Sequence, residues 1–220
     1  MKSTSVKEIF VVGVLLVLPF IYLGSIYHSL PAVIPTHFNH KGEADGTGEK
    51  STLIVVSIFM SGVSLFTYLI IKNANKIDPK KNTQSPELLQ KIAYMIVVFL
   101  SAILLVIIQS AKTGTMKSNQ FLIPLIGLLF AGLGNFMHSI KPNYFIGMRL
   151  PWTLEDPDNW RKTHQVGSKI WMIGGILIAV STPFMPIATG FIFAMIVLTV
   201  MVVYPIIFSY QLFKKSNIGS

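Results

Sequence analysis

Long apolar runs alternate with short polar connections along this chain. Apolar runs occupy residues 9–27, 52–71, 92–111 and 121–138, and each is long enough to cross a hydrocarbon core of about 30 Å as a helix. A fifth apolar region, residues 170–213, is too long for one helix, and Thr182, Pro183 and Pro186 near its middle predict a break. The pattern therefore predicts six transmembrane helices in a single integral membrane domain, residues 1–220.

Composition supports an all-α, polytopic membrane bundle. The chain is 52% hydrophobic and only 12% charged, whereas soluble domains carry about 25% charged residues. It has no cysteine, which excludes disulfides, thiolate catalysis and cysteine-ligated zinc. The first apolar run follows Lys2 and Lys7 but contains Pro19 and ends in Tyr27 and His28 instead of a small-residue cleavage site. We therefore expect an uncleaved first span.

The distribution of Lys and Arg predicts the orientation, because cytoplasmic connections retain positive charge. With both termini inside the cell, fourteen of the 18 basic residues are cytoplasmic. This topology places the outer loop, residues 28–51, and the inner loop, residues 139–168, on opposite faces. The net charge is +9, but the basic residues lie at the ends of apolar runs and not on one amphipathic element. This distribution argues against direct binding of nucleic acid. The four basic residues left outside are Lys41, Lys50, Lys112 and Lys117.

Two features of the spans bear on packing and on transport. Gly127 with Ala131, and Gly175 with Ala179, have the small-xxx-small spacing that lets membrane helices approach closely. The central part of each span contains no Asp, Glu, Lys or Arg. Transporters driven by protons or sodium ions ordinarily keep an ionisable group near the midplane, so this absence disfavours that class.

The outer loop admits three interpretations. His37 and His40, together with Glu43 and Asp45, are side chains that could bind a metal ion such as zinc. Asn39 and Asp45 among glycines are also typical of turns in which side chains bond the backbone, and this structural interpretation is favoured. The loop could in addition form a peptide-binding surface. We therefore predict an ordered loop that holds neither a metal ion nor another cofactor.

The inner loop combines charges and two indoles in a short connection. Arg149 lies between Gly147 and Pro151, which suits a planar contact to Glu155, to Asp156 or to a lipid phosphate; simple anchoring at the inner face is the alternative. The indoles of the inner loop, Trp152 and Trp160, are interpreted as membrane-interface residues in preference to partner hot spots.

The second half of the inner loop predicts a helix. Asp156 or Asp158 can cap it ahead of Pro157 or Asn159, and we expect a short amphipathic segment along the inner leaflet between spans four and five. His164 follows in this segment, but the spacing provides no nucleophile with an orienting acid beside it. The chain is therefore predicted not to be an enzyme.

Two stretches resemble the signature of a known family. The outer loop reads PTHFN at residues 35–39, followed by Gly42, Asp45 and Gly46, and the inner loop reads NYFIGMRLPWTL at 143–154 and NWRKTHQVGSKIW at 159–171. In this order within a six-span chain, these motifs resemble the SdpI family of bacterial membrane immunity proteins. We refer to them as the outer motif and the inner motif.

The resemblance implies a multi-pass protein of the bacterial cytoplasmic membrane, in contact with the lipid bilayer, that protects the cell from a secreted toxic peptide. In the best-known member it also implies signal transduction, with sequestration of a transcriptional repressor at the inner face. Carried over residue by residue, the outer motif consists of Pro35, His37, Asn39, Gly42, Asp45 and Gly46. The inner motif consists of Asn143, Gly147, Arg149, Pro151, Trp152, Thr153, Trp160, Thr163, His164 and Gly167.

Two rival functions remain at this stage. A membrane-embedded metal-dependent enzyme would use His37, His40 and Asp45, although the chain lacks an H-E-x-x-H helix motif. A small transporter is disfavoured by the missing charge within the spans.

Overall fold

The computed structural model describes residues 6–39, 41–79, 84–117 and 120–218, and this part of the chain is mostly helical. The helices are α1 Val6–Ile26, α2 Ser51–Lys72, α3 Ala74–Ile77, α4 Pro86–Thr113, α5 Leu122–Met137, α6 Pro151–Glu155, α7 Pro157–Ser181 and α8 Ile187–Ile218. Single 3₁₀ turns follow α1 and α7, and two strands, β1 Val33–Phe38 and β2 Ala44–Glu49, separate α1 from α2.

Five helices in the described part of the chain are long and apolar enough to cross a membrane: α1, α2, α4, α7 and α8. The apolar helix α5 is shorter, with 16 residues. The predicted break in the last apolar region is confirmed, because α7 ends at Ser181, a 3₁₀ turn covers Thr182–Phe184 and α8 begins at Ile187.

The outer loop departs from the all-α prediction. β1 and β2 form an antiparallel hairpin in which Val33 pairs with Glu49 and Phe38 with Ala44, with register shifts around His37. Ile34 is fully buried and packs with residues of α1, α2 and α4. The small, polar β2 segment ADGTGE lacks the alternating apolar pattern of a strand, which is why the sequence indicated only an ordered loop.

The helices pack in two groups. In the amino-terminal group, α1 and α2 both pack on α4; in the carboxy-terminal group, α7 packs on α5 and α8. Contacts between α4 and α5 join the groups. Each group has its own buried apolar clusters, and a further cluster around Ile92, Ile140 and Trp160 bridges them.

The predicted small-residue packing is confirmed at the contact of α5 with α7. A methyl group added to Gly127 would lie 2.7 Å from Gly175 O and 2.8 Å from Ala179 N. One added to Gly175 would collide with Ala131 N and lie 2.9 Å from its Cα. The two backbones are therefore in direct contact, and this contact, the α5–α7 seam, has no room for larger side chains.

Polar connections lie at the two ends of the bundle. The α3–α4 and α5–α6 connections meet where Gln84 Nε2 donates to Lys141 O at 2.9 Å and Gln84 Oε1 accepts from Lys141 N at 3.0 Å. The hairpin lies at the opposite end, where Met116 N donates to Gly42 O at 2.9 Å and a methyl group on Gly42 would lie 3.6 Å from Ile187 Cδ1 at the start of α8.

An ion pair joins α1 to α2 near the end that holds the Gln84–Lys141 contact. Lys72 Nζ lies 2.6 Å from Glu8 Oε1, and the side chains are 24% and 7% exposed. The Tyr68 hydroxyl also donates to Glu8 Oε1. The carboxylate is thus buried with both a cation and a hydroxyl donor, as a buried charge requires.

Candidate functional site

The outer motif forms the hairpin and its turn. Pro35 and His37 lie on β1, where they pair with Thr47 and Gly46 of β2. His37 Nδ1 lies 2.5 Å from Asp45 Oδ1, and both side chains are exposed. This pair crosses the hairpin on the solvent side, so it adds little stability but shapes a polar surface.

Asn39 makes the turn bonds that the glycine-rich sequence predicts. Its Oδ1 accepts from the backbone N–H groups of Lys41 at 2.8 Å and Glu43 at 3.1 Å, while its Nδ2 donates to Glu43 Oε2 at 3.1 Å. Asp45 does not share this role, because its carboxylate pairs with His37. Asn39 therefore defines the geometry of the turn.

Gly42 connects the turn to the next outer connection. Besides the Met116–Gly42 backbone bond, a bridge pairs Glu43 with Thr115, and a side chain on Gly42 would collide with Met116 O. The hairpin is thereby attached to the α4–α5 connection through backbone atoms.

The metal candidates are not assembled as a site among the described residues. Across residues 6–39, 41–79, 84–117 and 120–218, no group of three His, Asp or Glu side chains is arranged to hold a metal ion. His37 and Asp45 form a pair, and His40 lies outside the described residues.

The inner motif begins with a tight loop organised by Asn143, which is 2% exposed. Its Oδ1 accepts from the N–H groups of Phe145 and Ile146, both at 2.7 Å. Its Nδ2 donates to Lys141 O at 2.8 Å and Ile146 O at 2.9 Å. All four hydrogen-bonding positions of the amide are used, so Asn143 is a structural residue.

Trp160 and His164 form the centre of the inner motif. Their rings stack with centroids 4.0 Å apart, and Trp160 Nε1 donates to Ile140 O at 2.7 Å. His164 Nε2 accepts from Met148 N at 3.0 Å and Nδ1 lies 2.8 Å from Trp160 O. Because a backbone N–H points at Nε2 and a carbonyl faces Nδ1, the ring is the neutral Nδ1–H tautomer.

Gly147 lies against these two rings. Its φ is +111°, and a Cβ there would collide with His164 Nε2 and approach the Trp160 ring atoms Cζ2 and Cη2 to 3.1 and 3.2 Å. Only glycine satisfies both the backbone angle and the contact.

Side-chain hydrogen bonds hold the inner motif together and connect it to α8. The Thr153 hydroxyl accepts from Leu150 N at 3.0 Å and donates to Met148 O at 2.8 Å. Trp152 Nε1 donates to Ser209 Oγ of α8 at 3.0 Å, and Asn159 Nδ2 donates to Ser209 O, also at 3.0 Å.

The remaining motif residues extend this packing into α7. Thr163 donates to Asn159 Oδ1 at 3.0 Å, and a methyl group on Gly167 would lie 2.9 Å from Met137 Sδ. We call the buried, hydrogen-bonded side chains of this region the inner polar cluster: Asn143, Thr153, Asn159, Trp160, Thr163, His164 and Ser209.

Three expectations about the inner loop are corrected. Trp160 is 1% exposed, so it is a core residue and not a membrane-interface residue, because its indole N–H finds a carbonyl acceptor inside the protein. Arg149 donates to Tyr144 O and not to Glu155 or Asp156, while a contact to a lipid phosphate and simple anchoring at the inner face stay predictions. The predicted amphipathic segment is not a separate helix, since α7 is continuous from Pro157 to Ser181.

The helix start itself follows the prediction. Asp156 is the N-cap and its Oδ1 accepts from Asp158 N at 2.8 Å, with Pro157 in the first turn. The exposed carboxylate of Asp158 pairs with Arg161 and Lys162, both at 2.6 Å. Pro151 likewise opens α6.

Two hydrogen-bonding partners of the inner loop could not be recognised from the sequence. Gln84 and Ser209 lie far from the motif in sequence, and a lone Gln or Ser near a helix end carries no distinguishing signal. Ser168 was also missed: its hydroxyl donates to Gly134 O at 2.7 Å and so adds a polar contact to the α5–α7 seam.

Comparisons with known proteins match both halves of the chain. Residues 139–209 match the model of the SdpI/YfhL protein family, a range that contains the complete inner motif. Residues 14–61 match a domain of unknown function, DUF1648, a range that contains the outer motif.

A curated relative matches nearly end to end. The chain is 28% identical over 196 residues to "Immunity protein SdpI" of Bacillus subtilis (strain 168), which covers 87% of this chain and 89% of the relative. No solved structure matches. These findings confirm that the chain is a multi-pass membrane protein related to the SdpI family of bacterial membrane immunity proteins.

Proposed function

We propose that this protein protects the bacterium that carries it from a secreted toxic peptide. The observation that carries the proposal is the match to a relative named as an immunity protein, which extends over 87% of this chain and includes both motifs. The proposed action is binding or exclusion of the peptide in the cytoplasmic membrane, without catalysis.

We further propose six spans with both termini in the cytoplasm. The shorter helix α5 is the fourth span, and it packs against α7 along the α5–α7 seam. The hydrogen bonds of Gln84 to Lys141 support placing the two most basic connections at one end. The backbone bond of the hairpin to Met116 and the proximity of Gly42 to Ile187, whose Cδ1 would lie 3.6 Å from an added methyl group, support placing the other polar connections at the opposite end, as alternate crossings require.

In this topology the hairpin faces the environment and is the part of the protein that a secreted peptide meets first. Its exposed polar surface includes His37 and Asp45, and its backbone bond to Met116 attaches it to the bundle. The inner motif supports the bundle from within. A repressor-binding role for this motif gains no support from the packing, because the side chains of the inner polar cluster are buried and hydrogen-bonded to groups within the protein.

Survival of a sensitive host tests the protective role. Cells that express the parent chain should grow at peptide concentrations that kill cells with an empty vector. Replacing the exposed pair, His37→Ala with Asp45→Ala, should reduce survival, whereas Arg161→Ala, an exposed change at the opposite end, should not. The protective role is wrong if the parent chain protects against no secreted peptide of neighbouring or related strains.

Single cysteines test the topology, since the chain contains no natural one. A membrane-impermeant maleimide should label Lys41→Cys in intact cells and should label Arg161→Cys only after permeabilisation. Labelling of Arg161→Cys from outside would reverse the proposed orientation without affecting the protective role.

A further inference from the structure

A cleft of about 490 Å³ opens between α1, α4 and the α4–α5 connection. It lies at the end of the bundle that carries the hairpin, because the Glu43–Thr115 bridge and the Met116–Gly42 bond join the hairpin to that connection. Its principal lining residues are Tyr22, Leu105, Val106, Gln109, Ser110 and Lys117.

The residues that line the cleft change from apolar on α4 to cationic in the α4–α5 connection. Leu105 and Val106 form the apolar part. Gln109 follows about 6 Å further along the helix axis at 1.5 Å per residue. Lys117 lies beyond the end of α4 at Thr113. From Leu105 to Lys117 the order along the chain is therefore apolar, then neutral polar, then positively charged, and Phe121 adds an apolar group beyond Lys117.

Two side chains of the cleft can donate hydrogen bonds to the oxygen atoms of a ligand. The Tyr22 hydroxyl donates to Gln109 Oε1, which orients the amide, and the Gln109 Nε2 group has no hydrogen-bond acceptor among the described residues. The Lys117 ammonium likewise has no carboxylate partner in the described part of the chain. Both groups can therefore bind ligand oxygens.

The size of the cleft decides which ligand fits. A peptide helix about 10 Å in diameter would fill 490 Å³ within roughly 6 Å of its length, about one turn. A single extended hydrocarbon chain fits far better, and the volume is within the range of about 300–1,000 Å³ of small-ligand sites.

We propose that this cleft binds one anionic phospholipid. The acyl chain lies against Leu105 and Val106, the oxygen atoms of the glycerol ester and phosphate region accept from Gln109, and Lys117 neutralises the phosphate. The match of order along α4 and into the α4–α5 connection carries the assignment: hydrocarbon, carbonyl oxygen and phosphate follow one another in a phospholipid as their complements do in the cleft. This site is separate from the proposed protective role.

Native mass spectrometry of the purified full chain tests this site. Phosphatidylglycerol and phosphatidylcholine with identical acyl chains are added at matched concentrations. We expect about fivefold tighter retention of phosphatidylglycerol, the effect of about 1 kcal/mol per basic residue at an anionic surface. Lys117→Gln should abolish this preference, Lys117→Arg should keep it, and Lys41→Gln, an exposed hairpin lysine outside the cleft, should leave it unchanged.

The apolar part is tested by filling it. Val106→Trp should remove retention of both lipids, whereas Val203→Trp, at an exposed apolar position of α8, should not. If Val106→Trp fails to fold, the three lysine variants still decide the question, because their side chains are exposed. The proposal is overturned if Lys117→Gln keeps the preference or if a folded Val106→Trp retains lipid as the parent does.

A photo-crosslinking residue separates lipid from peptide. Photo-leucine at Leu105 should capture phosphatidylglycerol in vesicles with or without the toxic peptide of the survival assay. Capture of that peptide and of no lipid would overturn the proposal while leaving the protective role intact.

Discussion

Gly147 is a position at which a single added methyl group should strongly destabilise the protein. Its φ of +111° is one that residues with a Cβ rarely adopt, and Gly147→Ala would also place that Cβ against His164 Nε2 and the Trp160 ring. Relief of the clash requires movement of the stacked rings. That movement breaks the 3.0 Å bond from Met148 N to His164 Nε2.

Two costs combine in Gly147→Ala. The backbone angle costs about 1–3 kcal/mol, and loss of the acceptor of a part-buried N–H costs about 1–3 kcal/mol more. A central value of about 4 kcal/mol corresponds to a fall in Tm of about 8–16 °C for a chain of this length. Gly114→Ala measures the cost of a positive φ without a clash, because Gly114 has a φ of +75° and no neighbour within 4 Å of the added Cβ. This variant should lose about 1–2 kcal/mol of stability.

Thermal unfolding of the purified protein, followed by tryptophan fluorescence, measures both variants under the same conditions. Gly62→Ala provides a baseline, since a methyl group there meets nothing within 4 Å and Ala favours a helix over Gly by up to about 1 kcal/mol. Gly147→Ala should lower Tm at least twice as far as Gly114→Ala. Equal shifts would show that contact with the two rings contributes nothing and would refute the assigned role of the inner polar cluster.

Three further variants test other contacts. Gly175→Ala should lower the free energy of unfolding by about 1–3 kcal/mol, because the methyl group meets the Ala131 backbone. Gly13→Ala, whose methyl group meets nothing within 4 Å, should not lower it. Equal Tm values for the two variants would contradict the tight backbone contact at the α5–α7 seam. A double-mutant cycle of Trp152→Phe and Ser209→Ala should give a coupling energy of about 0.5–1.5 kcal/mol for the indole hydrogen bond, and zero coupling would exclude that bond. Lys72→Met should cost about 3–5 kcal/mol, because it removes a cation that pairs with the buried Glu8 carboxylate, and adding Glu8→Gln should recover part of the loss. A Lys72→Met variant as stable as the parent would show that this ion pair contributes nothing to stability.

The long apolar helices of this protein could be predicted from its sequence, because an uninterrupted apolar run in a membrane must satisfy its backbone hydrogen bonds internally and therefore forms a helix. The helix break after Ser181, the cap at Asp156 and the small-residue spacing of Gly127 with Ala131 and of Gly175 with Ala179 also follow from local patterns. Each depends on residues close together in sequence, where spacing alone determines geometry.

The contacts of the inner loop could not be predicted in the same way. An indole beside charges favours a membrane interface, yet Trp160 is buried because Ile140, twenty positions earlier, presents a carbonyl to it. His164 is explained only by Met148 and Gly147, which the tertiary fold places against its ring. The β-hairpin was missed because the small, polar β2 segment is held by backbone pairing, to which its side chains give no clue.

The burial of the inner polar cluster limits what the inner motif can indicate about function. The buried side chains of this signature hydrogen-bond groups within the protein, so they report that a polypeptide can fold this way, whichever toxic peptide it resists. Two proteins can therefore share the buried side chains of the NWRKTH segment yet differ in the toxic peptide they resist, and the discriminating positions should be sought among exposed residues.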